Sequence, residues 1–336
     1  MFNNNQFRFY VTRAHWLCLA LLVVAVLIMP MLAKQAHANE QPLSSSFTGK
    51  DNYRFVIVPK AVAPWFDSVN EGAQRAAEMI EAQSGADVEI EYSAPQQSQV
   101  AVQNQILEQA IATRPDGIAV DPLDANANRA ILQEALDQGI NVVIFDSPAP
   151  EGLEVSSVGN DFCEQAKIAA RRLVERLGEK GQVAIMMGTP TAPNHAIRVR
   201  CHKEVFAQHP DIQVIGTAIN DDSIAKAQQQ AAALMQSNPE LDGWVVSEAS
   251  GPIGVAQAIK EAGKVGEVKL VGLEKLPEML QLIEEGVADS SVANRPEAQG
   301  YWTVQALWQQ SLGIKPPDYM DTGVDLITRD KLDDFQ

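Results

Sequence analysis

Basic residues are scarce in this chain of 336 residues. There are 26 lysines and arginines against 43 aspartates and glutamates, which gives a formal net charge of −17. The first 38 residues hold three of the basic residues and no acid, so the rest of the chain is more acidic still. A protein with this charge repels the phosphate backbone of nucleic acids. The composition therefore excludes nucleic acid as an expected partner.

Aromatic residues and cysteines are also few. Phenylalanine, tryptophan and tyrosine make up 6% of the chain, so the interior must be built from aliphatic residues and alanine, as in helices packed on buried strands. Cys18 lies inside an apolar run and not at its end, which argues against a lipoprotein. Cys163 and Cys201 remain, and a lone pair of thiols often closes in an oxidising compartment. We predict a Cys163–Cys201 disulfide; two separately buried thiols are the alternative.

Long hydrophobic runs are absent except for one near the N-terminus. Two arginines precede an apolar run of about 14 residues at 16–29, which is shorter than the roughly 20 residues that a bilayer span needs. Ala36-His37-Ala38 follows, a small-x-small site of the signal peptidase type. We predict a signal peptide over 1–38 that is cleaved after Ala38, with an uncleaved anchor as the alternative. The polar stretch 39–52 is predicted to be a disordered lead-in.

Short apolar runs alternate with helical patterns from residue 53 onward. The predicted strands are 53–58, 88–92, 117–120, 141–145, 182–187, 212–216, 243–247, 268–272 and 290–293. The predicted helices are 64–83, 96–113, 126–138, 161–177, 194–208, 223–236 and 252–262. This alternation predicts parallel sheets with helices on both faces. The rhythm restarts after Ser156, and segment 114–121 resembles segment 240–247, so we expect two α/β lobes; a chance likeness of the two turns is the alternative.

Polar and aromatic side chains follow the predicted strands. Ligands of open parallel sheets bind beyond the carboxyl ends of the strands, which makes these residues the site candidates. They are Lys60, Trp65, Phe66, Asp121, Asp146, Asn194, Arg198, Glu248, Ser250, Glu274 and Asn294. Carboxylates and amides accept hydrogen bonds from hydroxyls, Arg donates to ring and hydroxyl oxygens, and an aromatic ring covers the C–H face of a sugar. The set predicts a site for a polyhydroxylated, uncharged ligand.

Simpler structural roles compete with binding for several candidates. Asp121, Asp146 and Glu274 are strand-end acids, which often cap the next helix or close a turn. For Trp65, the alternative is a purely structural role in the hydrophobic core. Arg200 lies two residues beyond Arg198 and so faces another side of the helix, where we expect it at the surface.

An ordered set of motifs carries a resemblance to a known family. The motifs are Lys60 with Pro64-Trp65-Phe66, Asp116-Gly117 through Asp121-Pro122, Phe145-Asp146-Ser147, Asn194 with Arg198, Ser250-Gly251-Pro252, Glu274 with Pro277, Glu285-Gly286, Asn294-Arg295-Pro296 and Asp321 through Asp325. In this order, the chain from about 53 to 334 resembles periplasmic sugar-binding proteins of the ribose/glucose type, the solute receptors of ABC importers. The C-terminal third is similar to the glucose-binding branch, and Val58-Pro59-Lys60 is similar to autoinducer-2 receptors.

The resemblance implies a type I periplasmic-binding fold, an α/β architecture of two doubly wound parallel-sheet lobes joined by a three-strand hinge. The first lobe would comprise 53–157 plus 295–321 and the second 158–294 plus 322–336. The resemblance further implies a monomer in the periplasm, with no cofactor, no bound metal and no catalytic residues.

Individual site roles also follow from the resemblance. Trp65 and Phe66 would stack on the sugar, Asp146 would bind hydroxyls, and Arg198 matches the family's arginine. Glu274 stands where the family usually has Asp, and Asn294 stands where it usually has Gln. These departures leave the sugar open, and the number of acids leaves room for an amino sugar.

The leading hypothesis is a binding protein that closes on a monosaccharide or related polyol and delivers it to an ABC permease in the inner membrane. A receptor for another small polar solute, such as an autoinducer-2-like compound or an amino sugar, is the alternative, with a chemoreceptor or sensor kinase as a further partner. A glycosidase with paired carboxylates is remote, because no nucleophile elbow, phosphate loop or metal motif accompanies the acids. A sugar-responsive repressor would need a basic helix-turn-helix at the N-terminus. The predicted signal peptide occupies that position in this sequence, which argues against a repressor.

The spacing of His195, His202 and His209 by seven residues, near Cys201, raises a further alternative. A metal-binding stripe is one interpretation. We favour a solvated helix face.

Overall fold

The computed structural model describes residues 49–335, and the predicted signal peptide and most of the predicted lead-in lie outside the described residues. Its strands are β1 Asn52–Val58, β2 Asp87–Tyr92, β3 Gly117–Val120, β4 Asn141–Phe145, β5 Ser156–Gly159, β6 Gly181–Met187, β7 Ile212–Ile219, β8 Leu241–Val246, β9 Lys269–Leu273, β10 Ser290–Ala293, β11 Tyr319–Asp321 and β12 Asp325–Thr328. No helix within the described range is long and apolar enough to span a membrane.

The helices alternate with these strands. They are α1 Pro64–Ser84, α2 Val100–Ala112, α3 Ala125–Asp137, α4 Phe162–Arg176, α5 Pro193–Phe206, α6 Ile224–Ser237, α7 Gly251–Glu261, α8 Pro277–Glu284 and α9 Pro296–Ser311, followed by a 3-10 helix at Arg329–Asp334. Proline opens α1, α5, α7, α8 and α9, a position where its missing N–H costs nothing. The pattern placed the start of α2 four residues too early, because Gln99 still has extended backbone.

Two six-stranded sheets form the framework. The first has the order β11-β5-β4-β3-β1-β2 and the second β12-β10-β9-β8-β6-β7. All neighbours are parallel except β12, which runs antiparallel to β10 at the edge of the second sheet. We call each sheet with its covering helices a lobe. The α/β fold class predicted from the alternation is confirmed.

Helices cover both faces of each sheet because the central strands are apolar on both sides. In β1, Phe55 and Ile57 pack toward α1 and α9, while Val56 and Val58 pack toward α2 and α3. The second sheet likewise lies between two clusters of buried apolar side chains. Continuous burial of this kind is typical of parallel strands.

The chain passes between the lobes three times. It leaves the first sheet after β5, returns after β10 so that α9 can pack on α1, and crosses again between β11 and β12. The crossings begin at Asn160, Asn294 and Thr322, which are all buried. The carboxyl ends of the central strands of both sheets therefore face a common space.

Candidate functional site

A cavity with about 540 Å³ of space free of protein atoms, its mouth included, lies between the strand ends of the two lobes. Eight of the eleven candidate residues line it. They are Lys60, Trp65, Phe66, Asp146, Arg198, Glu248, Ser250 and Glu274.

Two aromatic rings form one wall of the cavity. Ala63 has extended backbone and Pro64 begins α1, so Trp65 and Phe66 lie in its first turn. Their ring centroids are 5.0 Å apart and nearly perpendicular, and Phe66 also meets Phe145 edge-on. Trp65 Nε1 donates to Asn294 Oδ1 at 3.1 Å, which fixes the indole plane. The rings present a rigid apolar surface to the cavity.

Lys60 is the centre of a buried polar network. It follows β1, is 3% exposed, and its Nζ donates to Asp121 Oδ2 at 2.6 Å and to Asn194 Oδ1 at 3.1 Å. Asp121 also accepts from Ser147 Oγ at 2.7 Å. The amide of Asn194 in turn donates to Asp146 Oδ2 at 2.8 Å. Because Asn194 belongs to the second lobe and the other residues to the first, this network joins the lobes directly.

Arg198 points into the cavity from α5. Its Nε donates to Gln165 Oε1 at 2.8 Å, and its Nη1 donates to the carbonyl oxygen of Ser247 at 3.1 Å. Its guanidinium lies 5.0 Å from the ring centroid of Phe162 and 3.9 Å from Asp146 Oδ1 across the cleft. Three fixed contacts hold the side chain, so its remaining donors are presented to whatever fills the cavity.

The two strand-end acids occupy equivalent places in the two lobes. Asp146 follows β4 with φ of 46°, and Glu274 follows β9 with φ of 71°. Their backbone N–H groups donate to Val158 and Val292 of the adjacent strands. A left-handed backbone at a residue with a side chain costs on the order of 1–3 kcal/mol and concentrates at functional sites. Both residues line the cavity.

Glu248 and Ser250 form another part of the second-lobe wall, just before α7. Glu248 accepts from Asn220 Nδ2 at 2.9 Å and from the Ser250 backbone N–H at 2.5 Å. A side chain on Gly188 would come within 2.7 Å of Glu248 Cγ. The absence of a side chain there keeps room for the carboxyl group.

Three candidates lie behind the cavity wall. Asp121, Asn194 and Asn294 are buried and hold Lys60, Asp146 and Trp65 through the hydrogen bonds described above. Their direct contact with a ligand remains a prediction. In this arrangement they position the residues that line the cavity.

Two ionisable residues that line the cavity, His195 and Asp222, were not predicted as site residues. The prediction ended a strand at 216, whereas β7 continues to Ile219, so Asp222 follows a true strand end. Gly216 interrupts the apolar pattern, so the pattern did not indicate that the strand continues beyond it. Asp222 Oδ2 accepts from Thr189 Oγ1 at 2.6 Å, and its Oδ1 lies 3.7 Å from His195 Nε2.

The favoured interpretation of the histidine spacing is wrong for two of its three members. His195 and His202 are buried, and both ring nitrogens of His202 lie about 3 Å from carbonyl oxygens, those of Ala166 and Val246. The face of α5 that carries them packs inward. Arg200, by contrast, is exposed as expected.

Burial controls the ionisation of the cavity. Removal from water raises the pKa of Glu248 to about 8, helped by the neighbouring charge of Asp222. It raises the pKa of Glu274 to about 7, although Arg198 opposes the shift, and it raises the pKa of Asp146 against the opposing charges of Lys60 and Arg198. Burial lowers the pKa of His195 to about 3, so this imidazole is neutral at pH 7.

Cys163 and Cys201 form a disulfide between α4 and α5, with Cα atoms 5.4 Å apart. Gln165 and Phe162, which hold Arg198, lie on α4, while Arg198 itself lies on α5. The bond therefore ties together the two helices that position the guanidinium.

Removing this disulfide is expected to destabilise the protein. For cysteines 38 residues apart, the loss in C163S/C201S should be about 3–4 kcal/mol of unfolding free energy, since the unfolded chain regains the entropy of an open loop. Chemical denaturation of the exported protein measures it. Two free thiols in the unfolded, unreduced exported protein, or an unchanged free energy, would contradict the bond.

Comparison with known proteins defines the class. A model described as a periplasmic binding protein domain matches residues 54–315, and the chain belongs to this family. The D-ribose/D-allose-binding protein of Pseudomonas aeruginosa is 25% identical over 67% of this chain and 74% of its own length. The D-allose-binding periplasmic protein of Escherichia coli is 26% identical over 76% of this chain and 82% of its own.

Solved structures agree with the fold. A glucose-galactose binding protein from Geobacillus stearothermophilus superposes with a TM-score of 0.79 at 27% identity, covering 84% of this chain and 99% of that one. The expected type I fold and the expected resemblance are thereby confirmed. These relatives are named as binding proteins and not as enzymes, and the family is one of periplasmic solute receptors.

Proposed function

We propose that this protein is the receptor of an ABC importer that binds a monosaccharide or related polyol between its two lobes. One observation carries the proposal: the cavity between the lobes combines an aromatic wall, Trp65 and Phe66, with Asp146 and Arg198, which present unused hydrogen-bonding groups. Rings cover the C–H face of a sugar, and the carboxylate and guanidinium bind its hydroxyls. The relatives above are named for ribose, allose, glucose and galactose.

The three crossings are proposed to act as the hinge. The lobes would then comprise 53–157 plus 295–321 and 158–294 plus 322–336. Direct contacts between lobes, such as Thr191 Oγ1 donating to the carbonyl oxygen of Leu123 at 2.9 Å, belong to a closed form. Ligand would favour closure by binding groups from both lobes at once.

Delivery of the ligand would depend on closure of the two lobes. The closed form would dock on a permease in the inner membrane, and a chemoreceptor or sensor kinase is a second candidate for the same closed surface. Processing after Ala38 would release the exported protein into the periplasm. Intact mass of the protein recovered from the periplasm tests the cleavage point.

A thermal-shift screen tests the binding function. The exported protein is unfolded and refolded to remove carried ligand, and then mixed with glucose, ribose, xylose, galactose, rhamnose, inositol and glucosamine. A ligand at 100 times its Kd stabilises the folded state by about 2.7 kcal/mol, which raises the Tm by several degrees. We expect one chemical class to produce this rise. No rise with any polyol would contradict the proposal.

The Trp65→Ala variant tests whether binding occurs in this cavity. Loss of the indole removes stacking area and leaves a void, so we expect affinity to fall by about 2–3 kcal/mol, or roughly 30- to 150-fold. Trp302→Ala is the matched control, because Trp302 lies on α9 and is 45% exposed. Equal affinity of the two variants would exclude the aromatic wall as the binding surface.

A further inference from the structure

The cavity is lined by an excess of acids. Among the described residues that line it, four carboxyl groups accompany one lysine and one arginine. The acids are Asp146, Asp222, Glu248 and Glu274. The lysine is already paired with a fifth carboxyl group, that of Asp121, at 2.6 Å. Lys60 also lies 3.7 Å from Asp146 Oδ2, and Arg198 lies 3.9 Å from Asp146 Oδ1. Both lining cations therefore face Asp146, and among the described residues no lysine or arginine lies within 4 Å of the carboxyl groups of the other three acids.

The imbalance is concentrated at one place in the second lobe. A methyl group built on Gly188 would lie 2.6 Å from Asp222 Oδ1 and 2.7 Å from Glu248 Cγ, so both acids flank the same point. His195 lies beside them with Nε2 3.7 Å from Asp222, but burial keeps this imidazole neutral. Neither acid has a cationic partner among the described residues.

A second observation, an unpartnered carboxyl oxygen in the cavity wall, also points to a ligand. Asp146 is 6% exposed, and its Oδ1 has no hydrogen-bond donor although it is buried at the cavity wall. A buried carboxylate oxygen without a donor costs on the order of 1–3 kcal/mol. A ligand in the cavity would supply that donor, because Asp146 lines the cavity.

We propose that the natural ligand is a cationic polyol, an amino sugar or similar compound, whose ammonium group binds at Glu248 and Asp222. The inference rests on the proposed function and specifies its ligand class. An ammonium group donates three charge-assisted hydrogen bonds and compensates the negative charge of these carboxyl groups when they ionise. The hydroxyl groups of the same ligand would bind Asp146 and Arg198, while its ring would lie on Trp65.

Ligand charge and proton release are coupled in this site. Without a ligand, burial keeps a proton on Glu248 near neutral pH. An ammonium group favours the ionised carboxylate, so its binding should release a proton. The other titratable groups lining the cavity are Lys60, Asp146, His195, Arg198, Asp222 and Glu274. A neutral sugar provides no charge to replace the proton and should release none.

Isothermal titration of matched ligands tests the inference. The refolded exported protein is titrated with glucosamine, 3-amino-3-deoxyglucose and 6-amino-6-deoxyglucose, with galactosamine and mannosamine, and with their hydroxyl parents. N-acetylglucosamine is the neutral analogue. One amino sugar is expected to bind at least tenfold more tightly than its parent, and runs in two buffers of different ionisation enthalpy are expected to show proton release at pH 7.

Variants locate the ammonium site. Glu248→Gln and Asp222→Asn should each reduce the preference for the amine over its parent by at least tenfold. Glu267→Gln removes an exposed acid of the same lobe and should leave that preference unchanged. If a hydroxyl parent binds as tightly as its amine, the inference is overturned while the proposed function stands. If neither class binds to the refolded protein, the proposed function falls with it.

Discussion

Replacing Arg198 with methionine is expected to produce the largest loss of any single change in the cavity. Breaking a buried charge interaction by removing one partner costs about 3–5 kcal/mol. Gln165 would lose its donor, the carbonyl oxygen of Ser247 would lose another, and Asp146 would lose its nearby positive charge. We expect the unfolding free energy to fall by an amount in this range, measured by chemical denaturation.

The same variant should lose ligand binding. The contacts described above hold the Arg198 side chain in position before the ligand binds. Substitution by methionine therefore removes hydrogen-bond donors that are already in place for the ligand. Affinity for the best ligand of the screen should fall at least 100-fold, measured by titration calorimetry at a temperature where the variant is folded. The remaining hydrophobic stem of methionine fills the space of the arginine stem, which limits cavity formation.

Arg200→Met is the matched control for Arg198→Met. Both residues lie on α5, but Arg200 is exposed and pairs with Glu204 at 3.5 Å. Such surface pairs contribute at most about 1 kcal/mol. Near-normal binding by Arg200→Met is therefore expected. A normal affinity in Arg198→Met would show that the guanidinium does not face the ligand.

The ligand-free protein is expected to lose about 2–3 kcal/mol of stability between pH 6.5 and 8. Burial raises the pKa of Glu274 to about 7 and those of Glu248 and Asp121 to about 8, all above the ordinary values of the unfolded chain. The folded state then holds protons that the unfolded state has released, so its stability decreases as pH rises through the folded pKa. Each such carboxyl contributes about 1.4 kcal/mol per pH unit in its window.

The histidines act in the opposite direction. Burial lowers the pKa of His195 to about 3 and that of His202 to about 4, so both are neutral in the folded protein across this range. In the unfolded chain a histidine is half-protonated at about pH 6.5 and loses its proton as pH rises further, so the histidines add stability with rising pH and oppose the decrease. Their effect is a loss of stability as pH falls below that value. The decrease toward pH 8 therefore reports the carboxyl groups.

Denaturation at constant ionic strength measures this decrease. In Glu248→Gln the decrease of the unfolding free energy above pH 7 should be smaller, because the amide does not titrate. Stability that stays level or rises from pH 6.5 to 8 in the ligand-free protein would contradict burial of protonated acids. An amino sugar should stabilise the protein most toward pH 8, as long as its amine stays protonated.

Strand ends were predictable from sequence because apolar runs bounded by turns determine where parallel strands stop. Lys60, Asp146 and Glu274 were found in this way, and each lines the cavity. Asp222 was missed because Gly216 interrupts the apolar pattern of β7. The glycine is tolerated there because the strand lies at the edge of its sheet, with Leu234 3.8 Å from the position of a missing side chain.

It was harder to predict whether a strand-end residue lines the cavity or lies behind its wall than to predict where the strand ends. Asp121 follows β3 just as Asp146 follows β4, but Ser147 and Lys60 occupy both of its oxygens behind the wall. The partners come from distant parts of the sequence, so periodicity carries no information about them. The same holds for His195, whose inward orientation depends on how α5 packs against the second sheet.

A crystal structure of the exported protein with the best ligand of the screen would show where that ligand binds. We expect one polyol enclosed between the lobes, with its ring against Trp65 and its hydroxyls bonded to Asp146 Oδ1 and Arg198. A ligand bound elsewhere, or a cavity that stays empty in the presence of a tightly bound ligand, would contradict the proposed binding between the lobes.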